Sequence, residues 1–147
     1  MKRTVMLALA SIMALALTAG LASASGRGTK LELRNTGKGK ILVNRSGFTL
    51  YMFTKDARNK DACVRITGCP GVWPALTTSG KPVAGPGVKS SLIGTIKLPG
   101  VGTQVTYAGS PLYRYIGDSG PGSTFYIGKF QFGGYWYALN AAGHLVK

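Results

Sequence analysis

Asp56 and Asp118 are the acidic residues whose placement most suggests chemistry. Each sits three residues after an aromatic side chain, in Tyr51-x-Phe53-x-x-Asp56 and Tyr113-x-Tyr115-x-x-Asp118. Two carboxyl groups held roughly 5 to 10 Å apart are the apparatus of glycoside hydrolysis. Each Asp, however, directly follows a strand-like run and opens a loop bearing Gly, Asn or Ser. A carboxylate in that setting accepts hydrogen bonds from backbone N–H groups two residues on, so turn capping is the expectation for both.

Other catalytic arrangements lack parts. The one histidine, His144, lies near the C-terminus on what reads as a surface strand. A histidine-rich metal site is excluded by count, and zinc requires about four N, S or O ligands. Met52 is the one methionine beyond the leader, which argues against a Met-rich copper site. There is no phosphate-cradling glycine loop and no haem-attachment motif. No catalytic, cofactor-binding or metal-binding residue is assigned, and a non-enzymatic protein is expected. Tyr51, Tyr107, Tyr113, Tyr135 and Tyr137 are candidates for an aromatic groove that would hold sugar rings or bases. Core packing is the competing expectation for such side chains.

Residues 1–24 read as a secretory signal peptide. Lys2 and Arg3 open it, an apolar run spans Val5 to Ala19, and Ala22-Ser23-Ala24 is a small-x-small cleavage site. The apolar run is shorter than the about 20 residues of a membrane-spanning helix, so no transmembrane segment is expected in the mature chain. Cleavage takes two charges from the +14 of the full chain and leaves +12. Cys63 and Cys69, six positions apart in an oxidising compartment, are expected to pair as a structural disulfide. A redox dithiol is the alternative, although the spacing is not C-x-x-C.

The elements that must position these residues come in two similar sets. Gly47 to Asp56 aligns with Gly109 to Asp118 at an offset of 62, sharing G-x-x-L-Y-x-[F/Y]-x-x-D. Gly71-Val72-Trp73-Pro74-Ala75-Leu76 aligns with Gly134-Tyr135-Trp136-Tyr137-Ala138-Leu139 at an offset of 63. Ile41-Leu42-Val43 and Gln104-Val105-Thr106-Tyr107 are β-rich runs before turns at 44–47 and 108–111, so each set opens with a hairpin. Each Trp segment then begins a second hairpin, turning at Thr77–Gly80 or Asn140–Gly143. No helical apolar period occurs after the leader.

The expected fold is all-β, with two tandem pseudo-symmetric repeats in one compact β-sandwich or partly closed barrel. Repeat one covers 41–83, a connection covers 84–103, and repeat two covers 104–147. Residues 25–40 are expected to be a basic N-terminal arm. The Tyr and Trp side of the strands faces a single interior. Leu112 and Arg114 face away from it, because Arg is costly to bury.

The paired Tyr-x-aromatic-x-x-Asp motifs resemble the signature of the secreted-repeat family of bacterial envelope lipoproteins, which carry tandem repeats with a Y-x4-D motif. Trp73-Pro74-Ala75-Leu76, Leu92 to Ile96 and Gln104 to Tyr107 share the likeness, which runs over roughly residues 41–147. The resemblance implies extracytoplasmic placement and no particular activity, since the family's function is unknown. Typical members have a lipobox cysteine, which this chain lacks.

Charge supplies the remaining expectation. An excess of +12 favours an anionic wall polymer or lipid surface. The candidate contacts are Arg27, Lys30, Arg34, Lys38, Lys40, Arg45, Lys55, Arg58, Lys60 and Arg65, which crowd the arm and the first set. No specific nucleic-acid signature is present. The alternatives are a structural or protein-interaction module that uses strand edges, and a redox or electron-transfer accessory.

Overall fold

Alternation of apolar and charged side chains builds the first strand. β1 (Lys30–Thr36) places Leu31 in the interior between Lys30 and Glu32, as a half-buried strand requires. It turns through Gly37-Lys38 into β2 (Gly39–Asn44), with Thr36 opposite Gly39 and Leu31 opposite Asn44. The computed structural model describes residues 28–147, so the leader read over 1–24 and the candidate Arg27 lie outside the described residues.

The stretch expected to be a basic arm, 25–40, is therefore largely a paired hairpin. Charge counting hid the Leu31/Leu33 alternation that makes β1 a strand. The connection expected over 84–103 needs the same correction. β5 (Ile93–Leu98) lies inside it and pairs antiparallel with β6 (Gly102–Tyr107) over six residue pairs.

Three small sheets result. The first has the order β2-β1-β4, where β4 (Val83–Ala84) runs parallel to β1. The second is β5-β6-β7, with β7 (Ser110–Pro111) joined to β6 by a two-residue turn. The third is β10-β9-β3, with β8 also paired to β9. Its strands are β3 (Tyr51–Phe53), β8 (Lys129–Gln131), β9 (Gly134–Leu139) and β10 (Leu145–Val146). The all-β expectation stands, and the arrangement is not a closed barrel. Among the described residues no helix is long and apolar enough to cross a membrane.

The two Trp segments differ in backbone. Trp136 lies in β9, and the β9–β10 hairpin turns at Asn140–Gly143 as expected. There Asn140 Oδ1 accepts from the N–H groups of Ala142 and His144, 3.0 Å each, and Gly143 has φ +80°. Trp73 instead ends a single helical turn, α1 (Cys69–Val72). Pro74 follows and has no N–H to give a ladder. The hairpin expected at Thr77–Gly80 is replaced by isolated bridges from Ala75 to Tyr113 and from Thr77 to Gln104. The Cys63–Cys69 disulfide forms and is buried beside α1.

Two interiors exist where one was expected. Tyr51, Phe53, Trp73, Tyr113 and Trp136 pack with Ile41, Val43 and Ile127. Leu50 and Leu112, on the opposite strand faces, pack with Leu31, Leu42, Val105, Tyr107 and Leu139. The face expected to carry Leu112 outward is thus covered, because side chains of β1, β2 and β6 lie over it. Arg114 stays half-buried on that side, with its guanidinium 4.1 Å from the centre of the Phe48 ring, an attraction of charge to ring quadrupole.

Candidate functional site

Matched positions of the two sequence sets meet each other at the centre of the molecule. Tyr51 and Tyr113 exchange both backbone hydrogen bonds, at 3.0 and 2.9 Å. The Tyr51 hydroxyl donates to Asp118 Oδ1 at 3.0 Å, and the Tyr113 hydroxyl donates to Asp56 Oδ2 at 2.9 Å. Each tyrosine thus bonds the aspartate of the other motif. Asp56 Oδ1 also accepts the Ala62 N–H at 2.7 Å. Asp118 Oδ2 is buried without a partner. The expected cap two residues on is replaced by a reach of six residues for Asp56 and a crossing between motifs for both.

Trp73 and Trp136 stack directly, with ring centroids 3.7 Å apart and planes 4° from parallel. Tyr115 stacks on the outer side of Trp73 at 4.6 Å, and Phe53 on the outer side of Trp136 at 4.1 Å. Tyr51 meets Trp73 edge-on and Tyr113 meets Trp136 edge-on, both at 5.2 Å. Offset stacks and edge contacts of this kind contribute beyond area burial. Gln131 satisfies the polar ends: its Oε1 accepts from Trp73 Nε1 and from the Tyr126 hydroxyl, 2.9 Å each, and its backbone carbonyl accepts from Trp136 Nε1 at 3.2 Å. Nothing in the motif spacing pointed to Gln131.

The expected tyrosine groove divides. Tyr51, Tyr107 and Tyr113 are interior residues. The Tyr107 hydroxyl donates to the Ala141 carbonyl at 2.7 Å and accepts the Lys89 N–H at 3.0 Å. Tyr135 is exposed and Tyr137 half-buried, on the outer face of β9. His144 is exposed.

Burial pushes the Asp56 carboxyl up to about 7, with Asp61 adding to the rise and the Ala62 and Tyr113 hydrogen bonds opposing it. Burial likewise pushes Asp118 up to about 6, against the Tyr51 hydrogen bond and the Arg114 charge. Neither carboxylate is among the charges that shift the other. The Tyr51 and Tyr113 hydroxyls are raised well above the usual phenol range, chiefly by burial and then by the facing aspartates, so both remain donors.

These shifts have a consequence for stability. Between the ordinary carboxylate value and about pH 7 the folded state binds protons that the unfolded chain has released. The stabilisation is complete below about pH 4 and is lost as pH rises through about 6 to 7. With four acidic residues in the whole chain, little else opposes it. The thermal unfolding midpoint is expected to be higher at pH 5 than at pH 8. A midpoint that falls on acidification over that range would contradict the assignment.

Cations gather elsewhere, in an open cleft of about 850 Å³. Lys55, Lys60, Arg65 and Lys97 line it, over an apolar floor that includes Ile66, Ile96 and Leu98. Asp61 also lines it, but its Oδ1 accepts the Val64 N–H at 2.8 Å and so caps the turn at Cys63–Arg65. Of the residues expected to meet an anion, Lys55, Lys60 and Arg65 come together here, and Lys97 was missed. The others lie apart. Lys30 pairs with Glu32 at 2.7 Å, Arg34 lies against Gly47 and Gly122, and Arg58 donates to the Ala108 carbonyl at 3.2 Å. Lys38, Lys40 and Arg45 are exposed in the β1–β2 hairpin and the turn after it. Among the described residues no group of three or more His, Cys, Asp or Glu is placed to hold a metal ion.

This is an all-β domain with an aromatic centre tied by crossed Tyr–Asp bonds and a separate cationic cleft. Residues 33–77 match the family model described as a secreted repeat of unknown function. The matched stretch runs from β1 through the first Tyr–Asp motif and the first tryptophan to Thr77, and the family's secreted character agrees with an extracytoplasmic location. No curated protein and no solved structure matches the chain.

Proposed function

We propose that this is an exported, non-enzymatic protein of the cell envelope or its surroundings, and that it binds anionic envelope components through the Lys55–Lys60–Arg65–Lys97 cleft. The observation that carries this reading is that four basic residues line one concave surface, the Lys97 ammonium resting on Thr103 Oγ1 at 2.7 Å, while its single carboxylate is held by a backbone N–H. A cleft lined by one sign of charge focuses the field and raises the local concentration of counter-charged ligand. The Tyr–Asp and tryptophan centre is, on this reading, the scaffold: its rings are buried and its carboxylates are engaged by tyrosine hydroxyls.

The test is binding of the mature chain to an anionic polymer across a salt series. Exposed charges are screened over about 10 Å at 0.1 M salt and over much less at 0.5 M. Affinity is expected to fall about tenfold or more over that range, and Lys60→Glu with Arg65→Glu is expected to lower it at constant salt. Affinity that ignores both salt and charge reversal defeats the proposal.

A further inference from the structure

A second surface adjoins the cleft. In β9, Trp136 and Ala138 face the interior and Tyr135 faces outward, with Tyr137 beside it half-buried at the edge of the core. Phe130 of β8 is paired opposite Tyr135, and Met52 of β3 opposite Tyr137. Phe130 is 61 % and Tyr135 47 % exposed, an unusual display for large rings on a sheet face. Tyr135 and Tyr137 lie side by side, 26° from parallel at 6.2 Å, and Phe130 stands edge-on to Tyr135 at 5.1 Å. The two phenol hydroxyls make no hydrogen bond among the described residues. The hairpin that carries this face is held firmly. Phe132 and Gly133 both take positive φ, as a two-residue turn between twisted strands demands, and Tyr135 exchanges bonds with Thr54 at 2.9 Å each way.

Lys55 connects this hairpin to the cleft. It lines the cleft, and its ammonium passes so close to the hairpin turn that a Cβ on Gly133 would lie 3.0 Å from Nζ. We propose that the cleft and this aromatic face form one site for a polyanionic glycan, with its acidic groups against Lys55, Lys60 and Arg65 and its sugar rings against Tyr135, Tyr137 and Phe130. This inference rests on the charge-binding role of the cleft. It adds that the ligand has sugar rings.

The chemistry matches on both sides. The C–H face of a pyranose carries partial positive charge and is apolar, which suits the negative face of an aromatic ring. Free phenol hydroxyls can exchange hydrogen bonds with sugar hydroxyls. A polymer that bears an acid on successive rings presents charge to the cleft while its rings lie along the sheet. The exposed rings lie along a strand-paired face, where an extended chain can lie across them.

The experiment compares four probes on the mature protein: polygalacturonate, which has rings and carboxylates; polyglutamate, which has carboxylates alone; dextran, which has rings alone; and vesicles of phosphatidylglycerol with phosphatidylcholine. Phe130→Ala with Tyr135→Ala is expected to weaken polygalacturonate binding about tenfold and to leave polyglutamate binding unchanged. Tyr135→Trp should retain polygalacturonate binding. Both native side chains are exposed, and an unchanged unfolding midpoint verifies the fold. Tyr135→Ser, which removes one ring, should shift affinity in the same direction. Lys60→Glu with Arg65→Glu should weaken both polyanions, and dextran should bind least. The inference is overturned if the aromatic variant binds polygalacturonate like the parent, loses polyglutamate equally, or loses only the vesicles. A cleft variant that binds both polyanions normally overturns instead the charge reading beneath it.

Discussion

Trp136→Ala is expected to remove about 3–5 kcal/mol of stability, the range for truncating a buried aromatic. Native domains hold only about 5–15 kcal/mol in total, so the variant is expected to be partly or wholly unfolded at 37 °C. Trp136 is fully buried and sits between two parallel neighbours, Trp73 at 3.7 Å and Phe53 at 4.1 Å, with Tyr113 edge-on. Its loss leaves a slot that rigid rings on both sides cannot close. It also takes a hydrogen bond from the Gln131 carbonyl. Trp73→Ala should be similarly severe, since Trp73 contacts Trp136, Tyr115, Tyr51 and Tyr126 and donates to Gln131 Oε1. Urea unfolding followed by circular dichroism measures both. A cost below about 1 kcal/mol would place the stack outside the real core.

Tyr113→Phe is the second large effect, and its dependence on pH is diagnostic. Removing the hydroxyl takes one of two donors from Asp56 in a half-buried place. The expected loss is about 1–3 kcal/mol when the carboxylate is charged, because a bond to an ion is worth more than a neutral one and the ion left behind remains desolvated. Asp56 is pushed up to about 7, so the loss should be larger at pH 8, where the carboxylate is charged, than at pH 5, where it carries a proton. Tyr51→Phe should follow the same trend through Asp118, whose carboxyl is pushed up to about 6. Chemical denaturation of parent and variant at both pH values decides it. Equal losses at pH 5 and pH 8 would mean that the tyrosine contributes packing alone.

Both effects arise from one construction. The aromatic at motif position three, Phe53 or Tyr115, closes one end of the ring stack. The motif tyrosine meets a tryptophan edge-on and reaches the aspartate of the other motif. The disulfide and α1 hold the Trp73 end in place, and the β9 ladder holds the Trp136 end. The spacing from Tyr to Asp is therefore explained by packing and hydrogen bonding. The cationic cleft draws on Lys55 from within the first motif, on Lys60 and Arg65 from the loop that follows it, and on Lys97 from β5.

The amino-acid sequence by itself determined the β character, the cysteine pairing and the match between positions 62 or 63 apart. Each of these is a local or compositional property: period-two alternation, two thiols near each other in the chain, and residue types in a fixed order. The strand β1 was legible too, in Leu31 and Leu33 alternating with Lys30, Glu32 and Arg34, although the charge of that stretch suggested an arm. Tertiary structure alone decided that each tyrosine would bond the other motif's aspartate, that Leu112 would be covered as fully as Tyr113, and that Gln131 would hold both indoles. Those contacts join residues far apart in the chain, and spacing along the chain does not say how it folds back. The same holds for charge. A total of +14 is a sum over residues, whereas a cleft exists only where the fold brings Lys97 of one sheet to the distant segment that carries Lys55, Lys60 and Arg65.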